Sequence, residues 1–422
     1  MHLAHFVQRV PPALGGSEAY FARLARFCVE NGDSVTTWTT TAIDLESFWQ
    51  SGKRETQPSI SITEPPENEG RGRETTRRYA PWRFPLRRYL LKAASLIPIP
   101  KWQAATLPCN PVCPAMWRDV GRFEGPLDAV HATAFPYAFP ILCGLRLARR
   151  RKVPFFVTPF LHLGDPRDAS NKTRRQYTSP PLRWLLHQAD GIFVQTHLEK
   201  QAALDLGIPE AKVILQGLGV DSAECTGGNR ERWRKDLGIA PHEVIIGHLA
   251  NQSVEKGTVD LLKAVEAMRD VSVPFRIVLA GPEMHNFRTF WSDYTRKDIV
   301  VQLGVLTDEQ KRDFYAGIDA FALPSRSDSF GLVLLEAWAN GKTNLVYRSG
   351  GPSELIQHER DGLIAVDLPD LTKQLTRLIS DTALRRTLGE CGQSRLSGEF
   401  HWPDKLSIIR NALGEYGAGK HV

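Results

Sequence analysis

Two carboxylates, Asp328 and Glu336, stand eight residues apart on either side of a Phe-Gly-Leu segment, within ALPSRSDSFGLVLLEAWANG over 322–341. Apolar residues surround Glu336, so the sequence predicts that this carboxylate lies on or beside a buried face. A buried carboxylate costs free energy unless it is hydrogen-bonded. Glu336 is therefore either satisfied by backbone or an Arg, or belongs to a ligand site together with Asp328.

The elements around these acids form a recognisable order. The pattern predicts a buried strand over 318–323, a helix that Ser329 caps and Gly341 ends, a second strand over 344–347, and a Gly-Gly loop that opens another helix at Ser353. This is a βαβ unit. Ligands of such units bind beyond the carboxyl ends of the strands, where helix N-termini present N–H groups to anions.

Length and composition set the class of protein. A chain of 422 residues exceeds the usual size of one hydrophobic core, so two domains are expected. There is no apolar run of about 18 residues, and the N-terminus lacks the pattern of a signal peptide. The six Cys are scattered, as is typical of reduced thiols. The sequence therefore predicts a cytoplasmic protein.

The positive charge is concentrated in the first half of the chain. Residues 1–222 carry a net charge of +8 and the remainder carries −2, for a total of +6. We expect no nucleic-acid partner, because the sequence has no recognition-helix, zinc-finger or RNA-binding sheet motif. An anionic membrane surface suits a basic, aromatic-rich region better, which predicts a peripheral position at the inner face of a membrane.

Residues 52–120 are predicted to be an irregular insertion that is both basic and aromatic, and the acidic stretch 64–70 within it to be an exposed loop. Arg, Trp, Phe and Tyr alternate over 77–92 and precede the apolar residues 96–102. Such a segment suits a membrane contact, or an acceptor cleft for an anionic or lipid-linked substrate. It also suits an ordinary insertion whose aromatic side chains pack on the core. The sequence does not separate these readings.

The stretch around the two acids resembles the donor site of the retaining GT-B glycosyltransferases, most closely glycosyltransferase family 4. Family members carry two Glu eight positions apart, then Ala-Met-Ala-x-Gly, a buried strand and Gly-Gly-x-x-Glu. The resemblance implies that Asp328 contacts hydroxyls of the donor sugar and that Glu336 binds the nucleotide ribose. Asp328 departs from the family pattern, because Asp is one methylene shorter than Glu. The donor-binding residues between the two acids would be Ser329, Phe330, Gly331 and Leu332.

Matches outside this stretch supply the rest of the implied site. The glycine pair Gly15 and Gly16, followed by Glu18, resembles the loop that lies over the donor phosphates and the acceptor. His162 follows a predicted apolar strand and matches the His that sits over the reacting sugar.

The diphosphate site falls on the loop after the strand predicted over 244–249. Lys256, before Gly257, matches the family's Lys that faces the donor diphosphate. His248 stands at the apparent position of the family's Arg and is therefore counted among the donor-binding residues, although a neutral His does not provide the two parallel donors of a guanidinium. Most of the phosphate binding would then depend on Lys256, backbone N–H groups and Ser253.

The resemblance implies an α/β protein of the GT-B class, with two Rossmann-like, doubly wound domains facing a central cleft. The expected parts are an acceptor-binding domain over 1–222, a nucleotide-sugar domain over 223–395, and a helix over 396–422 that crosses back. The implied activity is retaining transfer of a sugar from a nucleotide-sugar to a glycan, lipid-linked or small-molecule acceptor, in polysaccharide or glycoconjugate synthesis. His162, Asp328 and Lys256 would be catalytic, with no metal and no cofactor besides the co-substrate. The alternatives are a degenerate member acting as a binding or scaffold partner, and a nucleotide-sugar epimerase.

Overall fold

A computed structural model describes residues 1–50, 55–63, 72–164, 171–269 and 271–417. The chain forms two compact units. The first contains Met1–Leu161, Arg174–Gln216 and Leu406–Val422, and the second contains His162–Thr173 and Gly217–Lys405. His162, which the sequence placed in the first domain, therefore belongs to the second unit.

An eight-stranded sheet forms the centre of the first unit, with strand order β3-β4-β2-β1-β5-β6-β7-β8. All neighbouring strands of this sheet are parallel except β3 and β4, which pair antiparallel. The strands are β1 (His2–Phe6), β2 (Ser34–Thr40), β3 (Ser59–Thr63), β4 (Glu74–Tyr79), β5 (Ala129–Ala132), β6 (Phe155–Val157), β7 (Gly191–Val194) and β8 (Val213–Leu215). The helices that start in the first 210 residues are α1 (Gly16–Glu30), α2 (Arg87–Ala94), α3 (Pro100–Thr106), α4 (Pro114–Arg122), α5 (Ala138–Arg151), α6 (Lys172–Tyr177), α7 (Pro180–His187) and α8 (His197–Asp205).

The insertion is more regular than the sequence predicted. Its described part contributes β3, β4 and helices α2 to α4, although the predicted loop over 64–70 lies outside the described residues. All five residues of β3 are exposed, so this edge strand has no buried face to mark it. The alternation of Ser59-Ile60-Ser61-Ile62 was the sequence signal that could have revealed it.

A six-stranded parallel sheet forms the centre of the second unit, in the order β11-β10-β9-β12-β13-β14. Its strands are β9 (Val244–Leu249), β10 (Phe275–Ala280), β11 (Val300–Gly304), β12 (Ala320–Leu323), β13 (Thr343–Tyr347) and β14 (Gly362–Ala365). The remaining helices of the chain are α9 (Ser222–Cys225), α10 (Arg230–Asp236), α11 (Thr258–Ala267), α12 (His285–Asp293), α13 (Asp308–Gly317), α14 (Leu332–Ala339), α15 (Gly350–Leu355), α16 (Leu368–Ser380), α17 (Thr382–Glu399) and α18 (Trp402–Gly417). The order reverses direction between β9 and β12, and ligands of open parallel sheets bind beyond the strand ends at such a point.

The helix after β12 begins later than the sequence predicted. The prediction that Ser329 caps it was wrong, because α14 starts at Leu332 and its N-cap is Gly331, with no side-chain cap. Gly331 adopts a left-handed conformation with φ of 93°, which glycine tolerates without strain. The side chain of Phe330 is buried. The segment 328–331 is consequently a loop rather than a helical turn.

Three buried histidines should make the protein sensitive to acid. Burial lowers the pKa of His5 to about 3, that of His248 to about 4, and that of His131 well below its ordinary value. Below pH 6.5 these histidines bind protons in the unfolded chain but stay neutral in the folded protein. The free energy of unfolding therefore falls as the pH decreases from 6.5 toward the pKa values of the folded state. Each contributes a slope of at most about 1.4 kcal/mol per pH unit.

We expect His5→Phe to flatten this dependence for the first unit, because the ring of His5 contacts Phe21 edge to face and an apolar ring suits that site. Thermal unfolding of both proteins between pH 7.5 and 5.0 measures the difference. Equal loss of Tm in wild type and variant would contradict the assignment.

Candidate active site

The loop that follows β9 presents Lys256 at the point where the strand order reverses. Gly257 ends this loop with φ of 77°, and α11 begins at the next residue. A Cβ atom on Gly257 would lie 1.8 Å from the carbonyl oxygen of Pro324, just beyond the end of β12. Only glycine permits this approach, so the Lys256 loop is held against the loop that follows β12.

His248 does not point into this site. Its Nδ1 lies 2.8 Å from the carbonyl oxygen of Ala322 and its Nε2 lies 2.9 Å from Thr258 Oγ1, so hydrogen bonds within the core occupy both ring nitrogens. The ring is fully buried, and burial lowers its pKa to about 4. The structure thus gives His248 a role in packing β9 to β12 and α11, in place of the phosphate contact that the sequence predicted.

Ser253 and Thr258 brace the loop from inside. The backbone N–H of Lys256 donates to Ser253 Oγ over 3.1 Å, and the N–H of Ser253 donates to Thr258 Oγ1 over 3.1 Å. Ser253 is buried. Its hydroxyl is therefore placed to fix the backbone of Lys256. Thr258 was missed by the sequence analysis, although a Thr at a helix start is a recognised capping signal.

Asp328 lies on the loop after β12 and forms an ion pair with Lys256, with 2.6 Å between Oδ2 and Nζ. Burial raises the pKa of this carboxyl, but Lys256, His162 and the N–H of Ser329 outweigh burial, and the pKa of Asp328 is lowered. Asp328 is consequently ionised at neutral pH. The structure brings together the carboxylate and the ammonium that the sequence assigned to the donor sugar and the diphosphate.

His162 completes this cluster within the second unit. Its Nδ1 lies 3.2 Å from the carbonyl oxygen of Ser327, so Nδ1 carries the hydrogen. Burial lowers the pKa of His162, Asp328 opposes that effect and Lys256 adds to it, with a net decrease. The ring is therefore neutral at pH 7.

The glycine pair at the start of α15 joins three loops of the site. The N–H of Gly350 donates to the carbonyl of Gly164, and the N–H of Gly351 donates to the carbonyl of Asp328, both over 2.9 Å. A Cβ atom on Gly351 would lie 1.9 Å from the carbonyl oxygen of Ser329. The position of Asp328 thus depends on the absence of a side chain at Gly351.

We expect Gly351→Ala to move the Asp328 loop and to lower transfer activity at least about 100-fold, because a misplacement of about 1 Å at a reacting centre can have an effect of that size. The control is Gly227→Ala, which meets no atom within 4 Å but carries φ of 83°. This control has a backbone cost without crowding the site. Equal activity of the two variants would show that the glycine is not needed for the site.

Glu336 lies on α14 with its carboxylate held by α13. Oε1 accepts from Lys311 Nζ over 2.9 Å and Oε2 accepts from the hydroxyl of Tyr315 over 2.8 Å. The sequence analysis expected either that backbone or an Arg satisfies this carboxylate or that it belongs to a ligand site. The structure gives it a cationic partner, which is a Lys rather than an Arg. The sequence analysis missed Lys311 and Tyr315, which precede Glu336 by 25 and 21 residues and carry no local signal.

The predicted glycine loop lies in the first unit, at the start of α1. A Cβ atom on Gly15 would lie 2.2 Å from Glu18 Oε2, whereas one on Gly16 would meet no atom within 4 Å. The Glu18 carboxylate is buried, and Arg9 binds it with 2.6 Å between nitrogen and oxygen. A side chain at position 15 would therefore require the Glu18 carboxylate to move, whereas Gly16 leaves open space beside the backbone.

Three further observations concern metals, membranes and thiols. Among the described residues, no group of three or more His, Cys, Asp or Glu is arranged to hold a metal ion. None of the described helices is both long and apolar enough to cross a bilayer. All six Cys are free thiols.

Family models match most of the chain. The model described as "Glycosyl transferase 4-like domain" matches residues 15–219, and the one described as "Glycosyl transferases group 1" matches residues 229–395. The chain belongs to the family 4 type of glycosyltransferase. The family resemblance drawn from the Asp328 to Glu336 stretch is confirmed.

Individual relatives of this family 4 chain are distant. It is 33% identical over 189 residues to the D-inositol 3-phosphate glycosyltransferase of Pseudarthrobacter chlorophenolicus. The aligned region covers 42% of this chain and 44% of that protein. The alignment thus spans less than half the length of that curated relative.

Solved structures are similar along the whole chain. The sucrose-phosphate synthase of Thermosynechococcus elongatus superposes with a TM-score of 0.74 at 18% identity, covering 99% of both chains. Anabaena HepE in complex with UDP and glucose gives 0.70 at 16% identity, covering 98% of this chain and 100% of that one. These likenesses confirm the predicted GT-B fold class.

Proposed function

We propose that this family 4 member transfers a sugar from a nucleotide-sugar to an acceptor hydroxyl, with retention of the anomeric configuration. The observation that carries the proposal is the Lys256–Asp328 ion pair at the carboxyl ends of β9 and β12. In a nucleotide-sugar, the phosphate oxygen is bonded to the anomeric carbon, so diphosphate and sugar hydroxyls lie within a few ångströms of each other. A cation that binds the diphosphate and a carboxylate that binds the sugar hydroxyls must then be neighbours.

Each residue of the cluster has a role in this reaction. Lys256 would bind the departing diphosphate together with N–H groups at the start of α11, and Asp328 would accept hydrogen bonds from sugar hydroxyls. The acceptor oxygen forms its bond to the anomeric carbon on the face from which the phosphate oxygen leaves, and the acceptor's proton passes to the diphosphate. His162, neutral at pH 7, would contact the sugar and assist that proton's movement.

Two other predicted residues, Glu336 and Gly16, are given roles by the same proposal. Glu336 would bind the ribose hydroxyls while Lys311 and Tyr315 fix its orientation. The open space beside Gly16 would admit a phosphate or the acceptor. Glycan, lipid-linked and small-molecule acceptors are all compatible with the reaction. The free thiols favour a cytoplasmic enzyme, as the sequence predicted.

The test is product analysis with UDP-sugars, which are the first donors to try because HepE was crystallised with UDP and glucose. Purified protein is incubated with each donor and a panel of acceptors, and the new anomeric bond is read by NMR. We expect the donor's configuration to be kept, and the rate to be unchanged by EDTA because Lys256 and the N–H groups at the start of α11, rather than a metal ion, would bind the diphosphate. An inverted product would contradict retention, and loss of activity with EDTA would contradict metal independence.

The alternatives make different predictions in the same assay. An epimerase would convert the nucleotide-sugar without any acceptor, and a degenerate scaffold would leave every donor intact. The absence of the family's Arg is the argument for degeneracy. His248, at that position, is bonded within the core at both ring nitrogens and contributes no cation, so the donor assay decides between an active enzyme and a degenerate one.

A further inference from the structure

A helical hairpin in the first unit, together with two residues that precede it, exposes most of the large apolar side chains on the described surface. It consists of α2, α3 and the connection 95–99, and Trp82 and Leu86 precede it. Fourteen large hydrophobic residues are exposed among the described residues, and eight of them lie between positions 82 and 102. They are Trp82, Leu86, Tyr89, Leu90, Leu96, Ile97, Ile99 and Trp102. The third reading of this segment, in which its aromatic residues pack on the core, therefore fails for these side chains.

The hairpin is held firmly despite its exposed surface. Trp102 Nε1 donates to the carbonyl of Ala94 over 2.8 Å, and Gln103 Nε2 donates to the carbonyl of Ser95 over 3.0 Å, which joins α3 to α2. On the opposite side, Arg87 is buried and donates to the carbonyl of Asn110, and Ala104 is buried. The apolar side chains are consequently presented by a fixed scaffold.

The most exposed part is the tip between the two helices. Leu96, Ile97 and Ile99 are 78%, 45% and 56% exposed. Two exposed lysines flank this tip, Lys92 in the last turn of α2 and Lys101 in the first turn of α3. Long lysine stems can lie along apolar surface while their ammonium groups stay in water at the level of lipid headgroups.

The segment that contains the hairpin carries charge of one sign along the sequence, although Arg77 pairs with Asp119 and Arg83 pairs with Glu55 from outside it. From residue 75 to residue 118 the sequence contains eight Lys and Arg and no Asp or Glu. A protein partner with an apolar patch would not require an excess of basic residues here, whereas an anionic lipid surface attracts each basic group near it. Apolar side chains at a tip, aromatic residues beside them and lysines that flank the tip are the features of an interfacial membrane contact.

We propose that the α2–α3 hairpin docks the protein on a bilayer containing anionic lipids, with Leu96, Ile97 and Ile99 entering the headgroup boundary and Lys92 and Lys101 contacting lipid phosphates. The inference does not rest on the proposed glycosyl transfer, because it uses no residue of the donor site. The proposed partner is a lipid surface, and the experiment below distinguishes lipid binding from self-association through the same tip.

The experiment is vesicle flotation of the full chain with phosphatidylglycerol-containing vesicles and with pure phosphatidylcholine vesicles. We expect binding to the anionic vesicles that weakens with salt. Lys92→Gln with Lys101→Gln should lower the partition coefficient about 30-fold, since each basic residue contributes about a fivefold factor. Leu96→Ser with Ile97→Ser should lower it by at least about 10-fold.

The matched control is Val305→Ser with Val366→Ser, which removes two exposed apolar side chains from the second unit and should leave flotation unchanged. Thermal unfolding of each variant shows whether it is folded. The proposal is overturned if the wild type does not float with anionic vesicles, or if the tip and control variants bind equally. A dimer in analytical ultracentrifugation that the tip variant dissociates, without vesicle binding, would assign the surface to self-association instead.

Discussion

Asp328→Asn should lower the rate of sugar transfer on the order of 10²–10³-fold while the protein stays folded. Asn keeps the shape of the side chain but removes the charge, and hydrogen bonds to a charged acceptor are about twice as strong as neutral ones. Loss of one preorganised electrostatic contact at a reacting centre has an effect of this size. The measurement is kcat with the donor identified by product analysis, together with the Tm of the variant.

The control for this variant is Asp308→Asn, which removes an exposed carboxylate from the first turn of α13 in the same unit. Its activity should stay within about twofold of wild type, because surface substitutions have small effects. Asp328→Glu adds the methylene that family members carry, and we expect it to change the preference among donor sugars. Full activity in Asp328→Asn would remove Asp328 from the mechanism.

Lys256→Ala should abolish the stabilisation that the nucleotide-sugar gives to the protein. A ligand at 100 times its Kd raises the free energy of unfolding by about 2.7 kcal/mol, because it binds only the folded state. Removal of the ammonium takes away the cation that we propose binds the diphosphate. Thermal shift with UDP-, GDP-, ADP- and TDP-sugars measures the effect and identifies the base.

Lys256→Ala also leaves Asp328 without its ion-pair partner, so the variant should be less stable even without ligand. The double variant Lys256→Ala, Asp328→Asn should recover part of that stability but none of the response to ligand. Lys263→Ala is the matched control, since it removes an exposed lysine from α11, the helix that follows Lys256. If Lys256→Ala responds to the nucleotide-sugar as the wild type does, the diphosphate is bound elsewhere.

Strands of the second unit were predicted well because their sequence pattern has few alternatives. β9 begins and ends where the sequence predicted, since it is a short, mostly apolar run and both faces of a parallel sheet are covered. Local pattern also placed Lys256 and Asp328 on loops after β9 and β12. What the sequence could not supply was the distance between loops 72 residues apart.

The errors at His248 and Ser329 have a common origin. A family position fixes where a residue falls along the chain, but not whether its side chain leaves the strand toward solvent or toward the core. His248 lies within β9 and points to Thr258, whose hydroxyl offers it a partner. Ser329 is a good capping residue, but the N-cap of α14 is Gly331, two residues later. In both cases tertiary contacts outweighed a local preference.

The twelve residues His162–Thr173 have a consequence for the evolution and engineering of this chain. They are flanked on both sides by residues of the first unit but belong to the second, and the backbone passes between the units at four points. A single genetic crossover near residue 217 would therefore transplant Lys256 and Asp328 without the His162 that contacts their loop. Chimeras intended to exchange donor preference between relatives should carry this short segment along with the C-terminal half, and return to the recipient sequence after Lys405.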